Sequence, residues 1–224
     1  MTDKLNAGLI KHLNLLIKRY PILKEIEDSI AEAYRVMEWC YVNNGKLLIA
    51  GNGGSAADAE HIVGELMKGF KLRRKPALDF AAKLKTLDPV RGAKLSEDLQ
   101  GCLPAIALTS HPALNSAYLN DVNGLEGYAQ QVYGYGQAQD VFLGISTSGN
   151  SKNILYTSVV ARAKGMKVIA LTGAGGGELA KIADVAVQVP ETETYIIQEL
   201  HLPIYHCWCL MLEEKFFGVE GTAG

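Results

Sequence analysis

The sequence predicts an α/β protein: a doubly wound, parallel five-stranded sheet flanked by helices, with further helices at the N-terminus. Three observations carry this. Five short apolar runs each end in glycine or hydroxyl residues, and helical patterns separate them. The 224-residue chain is 48% hydrophobic, with 22 Lys and Arg against 24 Asp and Glu, a composition that can bury one sizeable core. The same balance excludes a disordered tail and supplies no overall basic field for a phosphate backbone, so nucleic acid is not an expected partner. Only Arg73, Arg74 and Lys75 form a local basic patch.

Taken in order, residues 4–44 place Leu9, Ile10, Leu13, Leu15 and Leu16, then Ile26, Ile30, Ala33 and Val36, at helical spacing, with Pro21 between the two runs. They predict two helices. Residues 46–50, 104–108, 140–145, 167–171 and 185–189 read as strands, and their continuous apolar character fits a sheet covered on both faces. Helices are expected at 55–68, 150–164 and 177–182, and residues 194–217 close the chain as a long helix with a kink at Pro203. Residues 71–103 break this rhythm with many charges, Pro76, Pro89 and Gly92, and read as an insertion or long loop. The whole of 1–224 is read as a single domain.

Neither a membrane nor an export signal is expected. No apolar run approaches the roughly 18 residues of a span, and the charged N-terminus lacks a small-residue cleavage site. Cys40, Cys102, Cys207 and Cys209 match neither a disulfide framework nor a zinc knuckle and read as reduced core thiols. A cytoplasmic protein is the expectation.

Two loops look built for phosphate. Gly51-Asn52-Gly53-Gly54-Ser55-Ala56 leads from the first strand into a helix, where glycines admit close approach and the helix terminus offers N–H groups to an anion. It satisfies the dinucleotide fingerprint formally but lacks the nearby second strand and acidic residue, and no Gly-Lys-Ser/Thr follows to make a Walker loop. The third strand ends in Ser146-Thr147-Ser148-Gly149-Asn150-Ser151, a compact set of donors suited to a phosphate monoester, with Ser148 or Asn150 available to cap the next helix. A third turn, Thr172-Gly173-Ala174-Gly175-Gly176-Gly177, carries no reactive side chain and reads as a flexible connection.

His61 and Glu65 share one face of the helix opened by the first loop, one turn below the expected anion, at a spacing that suits two metal ligands or an acid–base pair. In the closing helix Gln198, Glu199, His201 and His206 interrupt an apolar run, and buried polar groups need partners or a function. Gln198 and His206, eight residues apart, fall within about 80° of each other on a regular helix and can face one site. His201 reads as a structural hydrogen bond, and Cys207 and Cys209 as core.

Five motifs in order, GNGGSAADAEHIVGE, LNDVNGLEGYAQQV, GISTSGNSKN, KVIALTG and IQELHLPIYH, make residues 30–217, apart from the insertion, resemble the phosphoheptose isomerases of the sugar isomerase (SIS) domain superfamily. The resemblance implies a SIS-type fold and interconversion of sedoheptulose 7-phosphate and D-glycero-D-manno-heptose 7-phosphate. It also implies a homotetramer with sites at subunit interfaces, and a zinc ion in each subunit. Residue by residue, it implies that Asn52, Gly53, Gly54, Ser55, Asn120 and Asp121 contact the sugar while Ser146, Thr147, Ser148 and Ser151 hold the phosphate. Glu65 is then the general base and His206 the general acid. His61, Glu65, Gln198 and His206 are the zinc ligands, and Glu65 and Gln198 also touch substrate. Two alternatives stay open: an isomerase of another sugar phosphate, admitted by the insertion, and a non-catalytic module that binds a phosphosugar or a protein. The apolar surface of residues 9–16 and of the closing helix independently predicts an oligomer.

Overall fold

In the computed structural model, which describes residues 7–218, five strands form one all-parallel sheet in the order β2-β1-β3-β4-β5. The expectations for residues 1–6 and 219–224 lie outside the described residues. The strands are β1 (Leu47–Ala50), β2 (Ala105–Ala107), β3 (Val141–Ile145), β4 (Lys167–Thr172) and β5 (Val185–Gln188). Every residue of β1 and β3 is buried. Alternation along each strand divides them between two cores. Leu47, Ile49, Leu143, Ile145, Ile169 and Leu171 join one cluster, and Leu48, Ala50, Phe142, Val168 and Ala170 the other. At the amino edge, buried Asp140 ties β1 to β3 by accepting from Lys46 N at 2.9 Å and Lys46 Nζ at 2.6 Å.

The first core is covered by α1 (Ala7–Arg19), α2 (Glu27–Val42), α3 (Gly54–Met67) and α10 (Thr194–Phe217). Ile30, Ala33, Tyr34, Met37 and Cys40 form the buried stripe of α2 at the three- and four-residue spacing of an amphipathic helix. The second core lies under α7 (Gly127–Tyr135), α8 (Lys152–Ala163) and α9 (Gly177–Ile182). Trp208 anchors α10 to α2 through Nε1 donating to the Ile30 carbonyl at 2.9 Å. The helix runs through Pro203 as a single span of 24 residues, so the proline does not divide it.

Several expectations change. The stretch read as a loop contains a helical hairpin, α4 (Leu78–Leu87) and α5 (Arg91–Asp98), whose turn is held by the Asp88 carboxylate accepting from Val90 N at 3.0 Å and Arg91 N at 2.8 Å. Between β2 and β3 the chain forms α6 (Pro112–Asp121) and α7, for which the sequence reading placed no element. Cys102 is exposed rather than core; Cys40, Cys207 and Cys209 are buried, and all four are free thiols. Among the described residues no helix is long and apolar enough to cross a membrane.

Candidate active site

The strand order reverses between β1 and β3, the place where an open parallel sheet binds ligands at its carboxyl edge. Both loops read as phosphate sites stand there. Asn52 and Asn153 join them by reciprocal amide hydrogen bonds, Asn52 Nδ2 to Asn153 Oδ1 at 3.0 Å and Asn153 Nδ2 to Asn52 Oδ1 at 2.8 Å. Sequence reasoning missed Asn153, because its partner lies 101 residues away. In the first loop Asn52, Gly53 and Gly54 are exposed and Ser55 is buried. Gly54 permits a close crossing: a Cβ there would stand 2.8 Å from Gln198 Nε2.

In the second loop Ser146 and Ser151 share a hydroxyl hydrogen bond at 3.0 Å, and Ser148 Oγ accepts from Asn150 N at 3.2 Å. Neither Ser148 nor Asn150 caps α8. Asn150 Oδ1 instead accepts from Glu178 N at 3.0 Å, at the start of α9. The third glycine turn is therefore a support and not a flexible connection. Gly173 N donates to the Thr147 carbonyl at 3.0 Å and Leu179 N to the Gly149 carbonyl at 2.9 Å, and a Cβ on Gly149 would meet Gly176 O at 1.9 Å. Asn120 and Asp121 end α6, exposed, and their side chains bond only to each other among the described residues, at 2.7 Å.

A second group forms where α3 and α10 run side by side. His61 Nε2 lies 3.3 Å from Glu65 Oε1 and 3.4 Å from His206 Nε2, while the exposed Lys68 reaches Glu65 Oε2 at 3.1 Å. Helical rise puts His61 about 10 Å and Glu65 about 16 Å along the axis from Gly54. The pair is thus two and three turns from the loop, not one. Burial lowers the His206 pKa, with the neighbouring His61 adding to it, so this imidazole is neutral at physiological pH. His206 also lines a cavity of about 280 Å³ with Arg19 of α1, a residue the sequence reading passed over.

Two further residues complete the seam. Tyr205 donates its hydroxyl to Asp58 Oδ1 at 3.1 Å and stands 3.0 Å from His61 Nδ1. The only sequence signals were that Asp58 precedes His61 by one turn and Tyr205 precedes His206. His201, read as structural, is fully buried and meets the Thr172 carbonyl through Nε2 at 3.3 Å.

Gln198, His61, Glu65 and His206 supply a carboxamide, two imidazoles and a carboxylate, a donor set that suits zinc. The His61–Glu65 and His61–His206 separations match the edge of a tetrahedron with metal bonds of about 2.0–2.1 Å, which is about 3.3–3.4 Å. Among the described residues, however, no three His, Cys, Asp or Glu side chains stand together as a ready-made metal group. Gln198 lies nearest Gly54, at the loop end of the seam.

The basic patch is dissolved by the fold. Arg74 is buried against Glu213, with Nε 2.8 Å from Oε1, and its other nitrogens donate to the carbonyls of Leu66 and Glu65 at 2.8 and 3.0 Å. Glu213 also accepts from the amides of Phe70, Lys71 and Leu72 at 2.8–3.1 Å. This network fixes the end of α3 that carries Glu65. A separate cavity of about 580 Å³ beside Asn153 is lined by Asn115, Ser116, Asn123 and Tyr128 and holds no acid or base.

The SIS domain family model matches residues 16–102 and 100–173. The chain is 38% identical over 197 residues to a phosphoheptose isomerase of Sulfurimonas denitrificans, covering 87% of this chain and 88% of the relative. It is 35% identical over 214 residues to that of Alkalilimnicola ehrlichii, covering 94% and 96%. A solved phosphoheptose isomerase from Francisella tularensis superposes with a TM-score of 0.73 at 32% identity, covering 92% of this chain and 97% of that one.

Proposed function

We infer that this chain, which belongs to the SIS domain family and within it to the phosphoheptose isomerases, is an aldose–ketose isomerase interconverting sedoheptulose 7-phosphate and D-glycero-D-manno-heptose 7-phosphate. The observation that carries the site assignment is the meeting of two loops at the strand-order reversal, backed by an acid–base cluster on the α3–α10 seam. Ser146, Thr147, Ser148 and Ser151 hold the phosphate, and Asn52, Gly53, Gly54, Asn120 and Asp121 address the sugar hydroxyls. Anchoring the far end of an open-chain sugar leaves its carbonyl end to be presented to the base.

Glu65 then takes the proton from the carbon beside the carbonyl, giving an enediol, and returns it one carbon away. His206 passes a proton between the two oxygens as the carbonyl moves. Zinc, held by His61, Glu65, Gln198 and His206, supplies positive charge to steady those oxygens when it is bound.

A homotetramer in the cytoplasm completes the proposal. The distance of about 16 Å along α3 between Glu65 and the loop supports a site assembled where protomers meet. Sedimentation showing only monomer at micromolar concentration overturns the assembly. The direct test incubates the purified protein with sedoheptulose 7-phosphate, with and without zinc, and follows the aldose phosphate. Turnover enhanced by zinc is expected; no turnover in either condition overturns the reading.

A further inference from the structure

We propose that Tyr205, oriented by Asp58, is a positioning residue that holds His61 in the tautomer whose Nε2 is unprotonated and faces Glu65 and His206. The inference rests on the reading that His61 belongs to the site.

The proton count across the three side chains fixes the tautomer. A tyrosine hydroxyl has a single proton, and an ionised carboxylate only accepts. The 3.1 Å contact to Asp58 Oδ1 therefore uses the Tyr205 proton. What remains on the tyrosine oxygen is lone pairs, so the 3.0 Å contact with His61 Nδ1 requires the proton on that nitrogen. A neutral imidazole carries one N–H, so Nε2 is left bare. That bare nitrogen stands 3.3 Å from a carboxylate oxygen and 3.4 Å from a second imidazole nitrogen. Two electron-rich groups at that distance are held together by a cation or a proton between them. The tautomer thus prepares His61 as a ligand and prevents it from donating to Glu65.

Tyr205 is suited to this task. It is 1% exposed, and its ring meets those of His61 and His206 edge-on at 5.5 and 5.1 Å between centroids. That packing fixes the ring, and with it the place of the hydroxyl oxygen between Asp58 and His61. The second Asp58 oxygen is buried and has no partner among the described residues, so the carboxylate's hydrogen bond is given to Tyr205 alone.

The test reads the tautomer without substrate or turnover. The full chain, labelled with ¹⁵N-histidine, is examined at pH 8 in zinc-free buffer by long-range proton–nitrogen correlation, with His61 identified by loss of its signals in His61→Gln. Wild type is expected to show a protonated Nδ1 and a bare Nε2 at His61; a protonated Nε2 overturns the proposal without any variant. Tyr205→Phe is expected to give mixed tautomers and to weaken zinc about 10-fold or more in competition with a chromophoric chelator. Asp58→Asn, which keeps an oxygen acceptor, should retain the wild-type tautomer, and Asp58→Ala should lose it. Unchanged tautomer and zinc affinity in a folded Tyr205→Phe protein also overturns the proposal. Failure of the isomerase reading shows instead as absent turnover by wild type, with the tautomer result intact.

Discussion

The buried ion pair that fixes the α3–α10 seam joins residues far apart in the chain, whereas the charged side chains of the α4–α5 hairpin pair only within a turn. Arg74 meets Glu213 across 139 residues and both are buried. The hairpin pairs Asp79 with Lys83, Asp88 with Arg91 and Lys94 with Asp98, none of them buried. α4 buries nothing and α5 buries only Gly92, while Leu78, Leu87 and Val90 are 80–87% exposed. Helicity and charge are common to both regions; what separates them is long-range burial. Only there is a polar group fixed well enough to be asked for chemistry, since exposed pairs are screened and contribute little.

Four measurements test this contrast. Glu65→Gln should lower kcat about 10³-fold while phosphosugar binding persists, read by initial rates and titration calorimetry; retained turnover removes Glu65 as the base. Arg74→Met leaves Glu213 buried without its counter-charge and should destabilise by about 3 kcal/mol in urea unfolding. A loss under 1 kcal/mol would place the seam and the hairpin in one class.

His201 links the seam to pH. Burial lowers its pKa from 6.5 to about 4 in the folded protein. Between those values the unfolded chain binds a proton that the fold refuses, so stability falls as pH drops from about 6.5 towards 4. The His201 share of that loss is about 2 kcal/mol between pH 7 and pH 5, and His201→Gln should remove it from the urea midpoints. An unchanged pH slope in the variant refutes the assignment. The smallest effect is expected in the hairpin, where Leu87→Glu should shift stability by less than about 0.5 kcal/mol. A larger shift would show that the hairpin packs against something of its own.

Legibility followed the same division. The five strands are legible because parallel strands buried on both faces are continuous apolar runs, and the two loops at the strand-order reversal because glycine and hydroxyl clusters mark strand ends. In the sequence the hairpin reads as a loop because its charges and prolines hide a helix whose apolar residues face solvent. α6 buries no residue at all, so it carries no periodic signal. Arg74 looked like surface because its neighbours Arg73 and Lys75 share its charge, and nothing local announces Glu213.

The order of residues along the chain accounts for the sheet, its glycine- and hydroxyl-rich loops and the residue types at the candidate site, since local propensity and hydrophobic period act over a few residues. Which of those residues meet depends on the packing of the whole fold. The Asn52–Asn153 clasp, the burial of Arg74 by Glu213 and the Asp58–Tyr205–His61 chain join positions 101 to 147 residues apart. Such contacts follow from how β1, β3, α3 and α10 pack, and packing is a property of the whole core.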